Sequence, residues 1–134
     1  MPAYEYNHPF LRWWVPVYFY AGAIFLWSSL PRPLPPGIDV PHLDKALHTI
    51  EYALFGFLLA RALSADSPAA LRRQFRLWAV LFAVLYGVSD EWHQSFVPMR
   101  RSTVWDVVFD GVGAVIGQLL FKTKGGPVLK ENRS

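Results

Sequence analysis

Two short stretches hold most of the side chains in this sequence that are equipped for chemistry. Asp44-Lys45-x-x-His48-x-x-Glu51-Tyr52 sets a carboxylate, an amine, an imidazole, a second carboxylate and a phenol close together. Asp90-Glu91-x-x-Gln94 follows the apolar run 77–88, and Arg100 and Arg101 come shortly after it. Asp106 and Asp110 stand four residues apart further on. At 3.6 residues per turn, Asp44, His48 and Glu51 share one face of a helix, and so do Asp106, Asp110, Gly113 and Gly117.

Three chemistries suit such a set. A histidine among carboxylates fits a divalent cation, and each i, i+4 pair can chelate one. No strong metal signature such as H-E-x-x-H is present, so no metal and no cofactor is assigned. Acid–base chemistry is the second, with His48 as the group that titrates nearest neutrality. The third is structural: Lys45, Arg100 and Arg101 neutralise Asp90, Asp106 and Asp110 and lock helices together. Asp44, in a first helical turn, and Asp106, three residues after Thr103, are each accounted for as caps. His48, Glu51, Asp90 and Asp110 lie at least a turn inside their helices, where an ionisable group is a functional candidate or half of a buried pair. Glu91 points about 100° away from Asp90 on a helix and carries less weight. His93, beside Trp92, reads as a surface residue, while Tyr52 and Gln94 fall on polar helix sides suited to interhelical bonds or ligand contact.

The elements that position these groups follow from composition and pattern. With 134 residues, 53% hydrophobic and only 17% charged, the chain allows one domain and is too apolar for an ordinary soluble one. It has no cysteine, which excludes disulfides and thiolate sites. The net charge of +3 comes from basic residues scattered at the ends of apolar runs, unlike a nucleic-acid-binding face. The pattern predicts an all-α, polytopic membrane protein: a bundle of four transmembrane helices over about 12–30, 41–63, 68–95 and 103–121. The first is a retained span rather than a signal peptide, since its end makes a poor cleavage site. The proline-rich 31–39 predicts a stiff external loop, Pro41 and Pro68 each an N1 position, Ser67 an N-cap, and 122–134 a disordered cytoplasmic tail.

Counted along this four-span arrangement, Arg12, Arg61, Arg72, Arg73, Arg76, Lys122, Lys124, Lys130 and Arg133 fall on one side. Arg32, Lys45, Arg100 and Arg101 fall on the other. That bias puts both termini in the cytoplasm and the acidic constellation in the outer half of the membrane. The tryptophans fall near span ends, as in an aromatic belt. Gly113 and Gly117 have the small-xxx-small spacing of close helix approach, a face through which copies of the chain can associate.

Asp44-Lys45-x-x-His48-x-x-x-Tyr52 and Asp90-Glu91-x-x-Gln94-x-Phe96-x-Pro98-x-Arg100, followed by Asp106 and Asp110-Gly111-Val112-Gly113, resemble the VanZ-like family of small bacterial membrane proteins over about residues 12–121. The resemblance implies Asp44, Lys45, His48, Tyr52, Asp90, Glu91, Gln94, Pro98, Arg100 and Asp106 as a shared polar set. The family's founding member is associated with low-level teicoplanin resistance, which implies a cell-envelope role and names no reaction. Asp110 departs from the asparagine usual at that position, adding a carboxylate that has to be protonated or recruit a cation. The expectation is a protein of the bacterial inner membrane, among membrane lipids, whose outward pocket of Asp44, Lys45, His48, Glu51, Tyr52, Asp90, Glu91, Gln94, Arg100, Asp106 and Asp110 binds or modifies a lipid-linked or peptidoglycan-related ligand. The alternatives are a small oligomeric proton-coupled transporter, and a structural protein whose polar cluster only joins helices.

Overall fold

The computed structural model of the chain describes residues 8–31, 37 and 42–123. The described residues form helices and turns with no strand among them: α1 Pro9–Trp13, α2 Val15–Ser28, α3 Leu43–Ala65, α4 Ala69–Arg73, α5 Phe75–Gln94 and α6 Val104–Leu120. The all-α expectation holds. The expectations for 32–36 and 38–39, for a helix start at Pro41 and for the tail from 124 lie outside the described residues.

Local chemistry sets the element ends. Pro16 has no N–H to bond the Arg12 carbonyl four residues back, and the first rod is interrupted nearby, at Trp14 between α1 and α2. The released carbonyl is reached by Arg61 Nη2 at 3.5 Å. α3 starts behind His42, whose φ of 64° is left-handed. The single helix expected over 68–95 is corrected to two, because the backbone turns out of helix at Gln74 (φ −122°, ψ 35°). No glycine or proline marks that break. Just beyond it Arg76 turns onto α6, donating to the Gln118 carbonyl at 2.5 Å and the Phe121 carbonyl at 3.2 Å, a tertiary anchor that local propensity does not encode. Pro68 is extended (ψ 148°) and caps α4 with its carbonyl instead of occupying N1, while Ser67 Oγ donates back to the Leu63 carbonyl at 2.5 Å rather than capping forward. α6 begins as expected: Asp106 Oδ2 accepts from the Thr103 N–H at 3.1 Å and from its hydroxyl at 2.8 Å.

α3 and α6 run parallel and form the central pair. Lys45 meets Asp106, His48 meets Asp110, and Phe57 meets Phe121 along the shared direction. Between them, a Cβ on Gly113 would collide with the Thr49 carbonyl, one on Gly117 with the Ala53 carbonyl, and one on Gly56 would lie 2.5 Å from the Ala114 carbonyl. The glycine face of α6 is therefore taken up by α3 of the same chain, which corrects its expected use in association of copies.

α5 returns antiparallel across both, laying Ala79, Ala83 and Gly87 inward. α2 closes one side: Trp14 Nε1 donates to the Asp66 carbonyl at 2.8 Å, Tyr20 Oη to the Glu51 carbonyl at 3.0 Å, and Tyr86 Oη of α5 to the Ala21 carbonyl at 2.6 Å.

The interior holds Asp90, Glu91, Gln94, Asp106, Asp110 and Gln118 beside Tyr52, Phe55, Leu59 and Leu63, whereas Phe19 (79% exposed), Leu85 (64%) and Leu119 (61%) point outward. Among the described helices α3 alone combines the length and apolar character of a membrane span: it has 23 residues, and an 18-residue stretch of it reaches a mean hydropathy of 1.3. α2 is apolar and shorter, at 14 residues.

Candidate functional site

Buried ionisable groups are costly unless paired, so where these side chains find partners decides what they can do. They gather at one end of the bundle, where α3 and α6 begin and α2 and α5 finish. Two layers result.

The inner layer is closed by mutual bonds. Lys45 Nζ donates to Asp106 Oδ1 and, at 2.8 Å, to Asp44 Oδ2, so Asp106 caps α6 and joins it to α3 at once. His48 Nδ1 and Asp110 Oδ1 lie 2.7 Å apart. Asp110 is fully buried and its second oxygen faces Gly87, where a Cβ would come within 2.7 Å of it. The α5 glycine makes room for the added carboxylate.

Asp90 and Glu91 both reach partners, on different sides of α5. Gln94 Nε2 donates to Asp90 Oδ2 at 3.0 Å and to Ser28 Oγ of α2 at 3.1 Å. Ser102 Oγ donates to Glu91 Oε2 at 2.8 Å, while Glu91 Oε1 lies 3.9 Å from His48 Nε2. The low weight given to Glu91 is thus corrected: the 100° between neighbours turns it away from Asp90 and straight at His48.

The outer layer is a cleft of about 50 Å³ lined by Trp27, Asp44, Leu47, His48, Glu51, Gln94 and Arg100. Glu51 presents a carboxylate with no hydrogen bond among the described residues. Arg100 is carried in by the turn 97–100, closed by its N–H to the Val97 carbonyl at 3.2 Å, with Pro98 second and Met99 third at φ 66°. A positive φ there is what a type II turn demands and usually assigns to glycine. Arg100 Nη2 donates to the Trp27 carbonyl at 2.9 Å, and its Nε is buried without a partner among the described residues. Burial lowers the Arg100 pKa from its ordinary value, and the Asp90, Glu51, Glu91 and Asp106 carboxylates oppose that. None of them bonds it directly, and Arg101 is exposed. Of the three cations expected to neutralise Asp90, Asp106 and Asp110, Lys45 does so at Asp106; Arg100 and Arg101 bond none of the three, and Asp90 and Asp110 are held by Gln94 and His48 instead.

Four buried polar atoms in the described residues have no hydrogen-bond partner: Tyr52 Oη, Glu91 Oε1, Asp110 Oδ2 and Arg100 Nε. All four belong to the eleven residues singled out from sequence, which fall at this one end. Trp27, Ser28 and Ser102 were not singled out. The Ser28-Ser29 pair ending an apolar run was the available signal, and Ser29 Oγ indeed meets His93 Nε2 at 3.0 Å. His93 also stacks on Phe25, with centroids 4.5 Å apart, so it is an interhelical contact and not a surface group.

Comparison with known proteins gives one match. A family model described as VanZ/LLP1 covers residues 4–125. No curated protein and no solved structure matches the chain significantly.

Proposed function

The chain belongs to the VanZ/LLP1 family, and from that premise we propose that it is a multi-pass protein of the bacterial cytoplasmic membrane whose cleft takes the polar head of a lipid-linked or peptidoglycan-related envelope molecule. The inverted distribution of side chains supports the membrane part. Exposed Phe19, Leu81, Leu85, Val112, Ile116 and Leu119 suit hydrocarbon, and the polar groups lie between helices, where a bilayer requires them. α3 is long enough to cross, and α5 and α6, at 20 and 17 residues, reach about 25–30 Å at 1.5 Å per residue. The basic ends support an extracytoplasmic cleft.

The observation that carries the ligand reading is Arg100. Its guanidinium is fixed on the Trp27 carbonyl, half-buried at the cleft wall, and its Nε has no partner among the described residues. A planar donor fork held this way suits a phosphate or carboxylate oxygen. About 50 Å³ admits a group of that size and leaves the bulk of a larger ligand outside. α2 also carries an apolar hollow of about 400 Å³, lined by Tyr18, Phe19, Gly22, Ala23, Phe25 and Leu26, the surface chemistry a hydrocarbon chain needs.

The test is the Arg100→Ala protein at wild-type membrane level. Lipid retained through purification, measured by mass spectrometry, and teicoplanin tolerance of an expressing strain are both expected to fall to the level of the empty strain. Wild-type values for both exclude this role. The inner layer also favours a structural reading, since Lys45–Asp106 and His48–Asp110 satisfy each other. That reading requires His48→Gln to lose stability and activity in step, with no variant folded and inactive.

A further inference from the structure

We propose that His48 Nε2 and Glu91 Oε1, backed by Asp110, form a binding site for one divalent transition-metal ion beneath the cleft. The sequence holds no metal motif because the groups come from three helices: His48 from α3, Glu91 from α5 and Asp110 from α6. Packing brings a donor atom from each within 4.8 Å of the others.

The bonding pattern argues for an ion between His48 and Glu91. Asp110 Oδ1, 2.7 Å from Nδ1, draws the imidazole proton to that nitrogen and leaves the Nε2 lone pair facing away from it. A carboxylate behind a histidine is the usual support of a metal-binding imidazole, fixing its tautomer and orientation. Across from Nε2, Glu91 is held by Ser102 on one oxygen, and its other oxygen is buried with no hydrogen-bond partner among the described residues. With the neutral imidazole held in that tautomer, two acceptors face each other across 3.9 Å. That is too long for a hydrogen bond and close to twice a metal–ligand distance of roughly 2.0–2.2 Å.

Charge points the same way. Among the described residues, Lys45 answers Asp44 and Asp106, which leaves Glu51, Asp90, Glu91 and Asp110 with Arg100 and His48. A divalent cation offsets the excess of carboxylates, which are expensive to bury unpaired. Glu51, on the next turn of α3, lines the cleft above with a further carboxylate, and water reaches the ion from there. One imidazole with carboxylates selects zinc, manganese or iron(II) over calcium.

The protein, purified in detergent and stripped with a chelator, is titrated with Zn²⁺ by calorimetry and with Co²⁺ by visible absorption. One equivalent per chain is expected, with Co²⁺ bands that disappear in His48→Gln. Glu91→Gln is expected to weaken binding by more than tenfold, and Asp110→Asn by roughly 10–100-fold through the orientation of His48. Asp66→Asn, just after α3 at the opposite end of the bundle, is expected to change nothing. Absence of saturable binding of either ion by the folded wild-type chain overturns the site, as does unchanged affinity in Glu91→Gln. If Glu91→Gln does not fold, the wild-type stoichiometry and the Co²⁺ spectrum decide, and a spectrum of fully aquated Co²⁺ overturns the site. Arg100→Ala is expected to keep the ion, so this site and the headgroup reading fail separately.

Discussion

The Asp106 carboxylate accepts from the Thr103 amide and hydroxyl on one oxygen and from Lys45 on the other, so a single side chain both starts α6 and joins it to α3. The two roles separate by substitution. Asp106→Asn keeps an oxygen for the Thr103 N–H and loses the charge opposite Lys45; Asp106→Ala loses both. Losing a cap costs about 1 kcal/mol, and losing the charge-assisted bond to Lys45, whose amine keeps only Asp44, about 1–2 kcal/mol more. Asp106→Ala is therefore expected to destabilise the protein by about 2–3 kcal/mol and Asp106→Asn by roughly half that, read as denaturation midpoints in detergent. Equal midpoints for the two variants would mean that the cap contributes nothing. The cap was legible, because Thr103-x-x-Asp106 is a local pattern. The His48–Asp110 bond was not, since it joins residues 62 apart and depends on which helices touch. Glu91 was undervalued for a related reason: helical angle tells which way a side chain points along α5, and only the neighbouring Ser102 and His48 tell what it meets.

At the scale of elements, the parallel contact of α3 and α6 governs where the polar groups stand. Lys45 and His48 reach Asp106 and Asp110 because, one and two turns further along, Gly113 and Gly117 let the α6 backbone lie against Thr49 and Ala53. Gly117→Ala forces the helices apart at the Ala53 carbonyl, and overpacking of this kind costs about 1–3 kcal/mol or more. Gly22→Ala on α2, where an added Cβ meets nothing within 4 Å, is the matched control and is expected to be neutral or mildly stabilising through helix propensity. Thermal melting of the two variants in one detergent checks the pair, and equal melting temperatures would deny the close approach. The spacing of Asp106, Asp110, Gly113 and Gly117 was visible in the sequence as one face. What lay against it was not, since small residues four apart serve a neighbour in the same chain and a second copy equally well. The break at Gln74 was hidden likewise, because its anchor is Arg76 on the end of α6.

At the scale of the whole molecule, charge and fold agree on two unlike ends. Arg12, Arg61, Arg72, Arg73, Arg76 and Lys122 gather where α3 and α6 finish, with Asp66 beside them. The opposite end holds Asp44, Glu51, Asp90, Glu91, Asp106 and Asp110 with Lys45, Arg100 and Arg101. Helix parity and charge made this separation legible before any packing was known, because both depend only on the order of residues. Under the proposed topology the basic end stays in the cytoplasm, where membrane insertion holds Lys and Arg, and the acidic end with its cleft faces outward. The chain has no cysteine, so a single introduced one reports its side without background. A cysteine replacing exposed Phe96, in the turn after α5, is expected to react with an impermeant maleimide in intact cells. One replacing Ser67, between α3 and α4, is expected to react only after the membrane is opened. The reverse pattern would put the cleft in the cytoplasm, where an envelope precursor is met before its export, and labelling of both positions in intact cells would break the four-span arrangement itself.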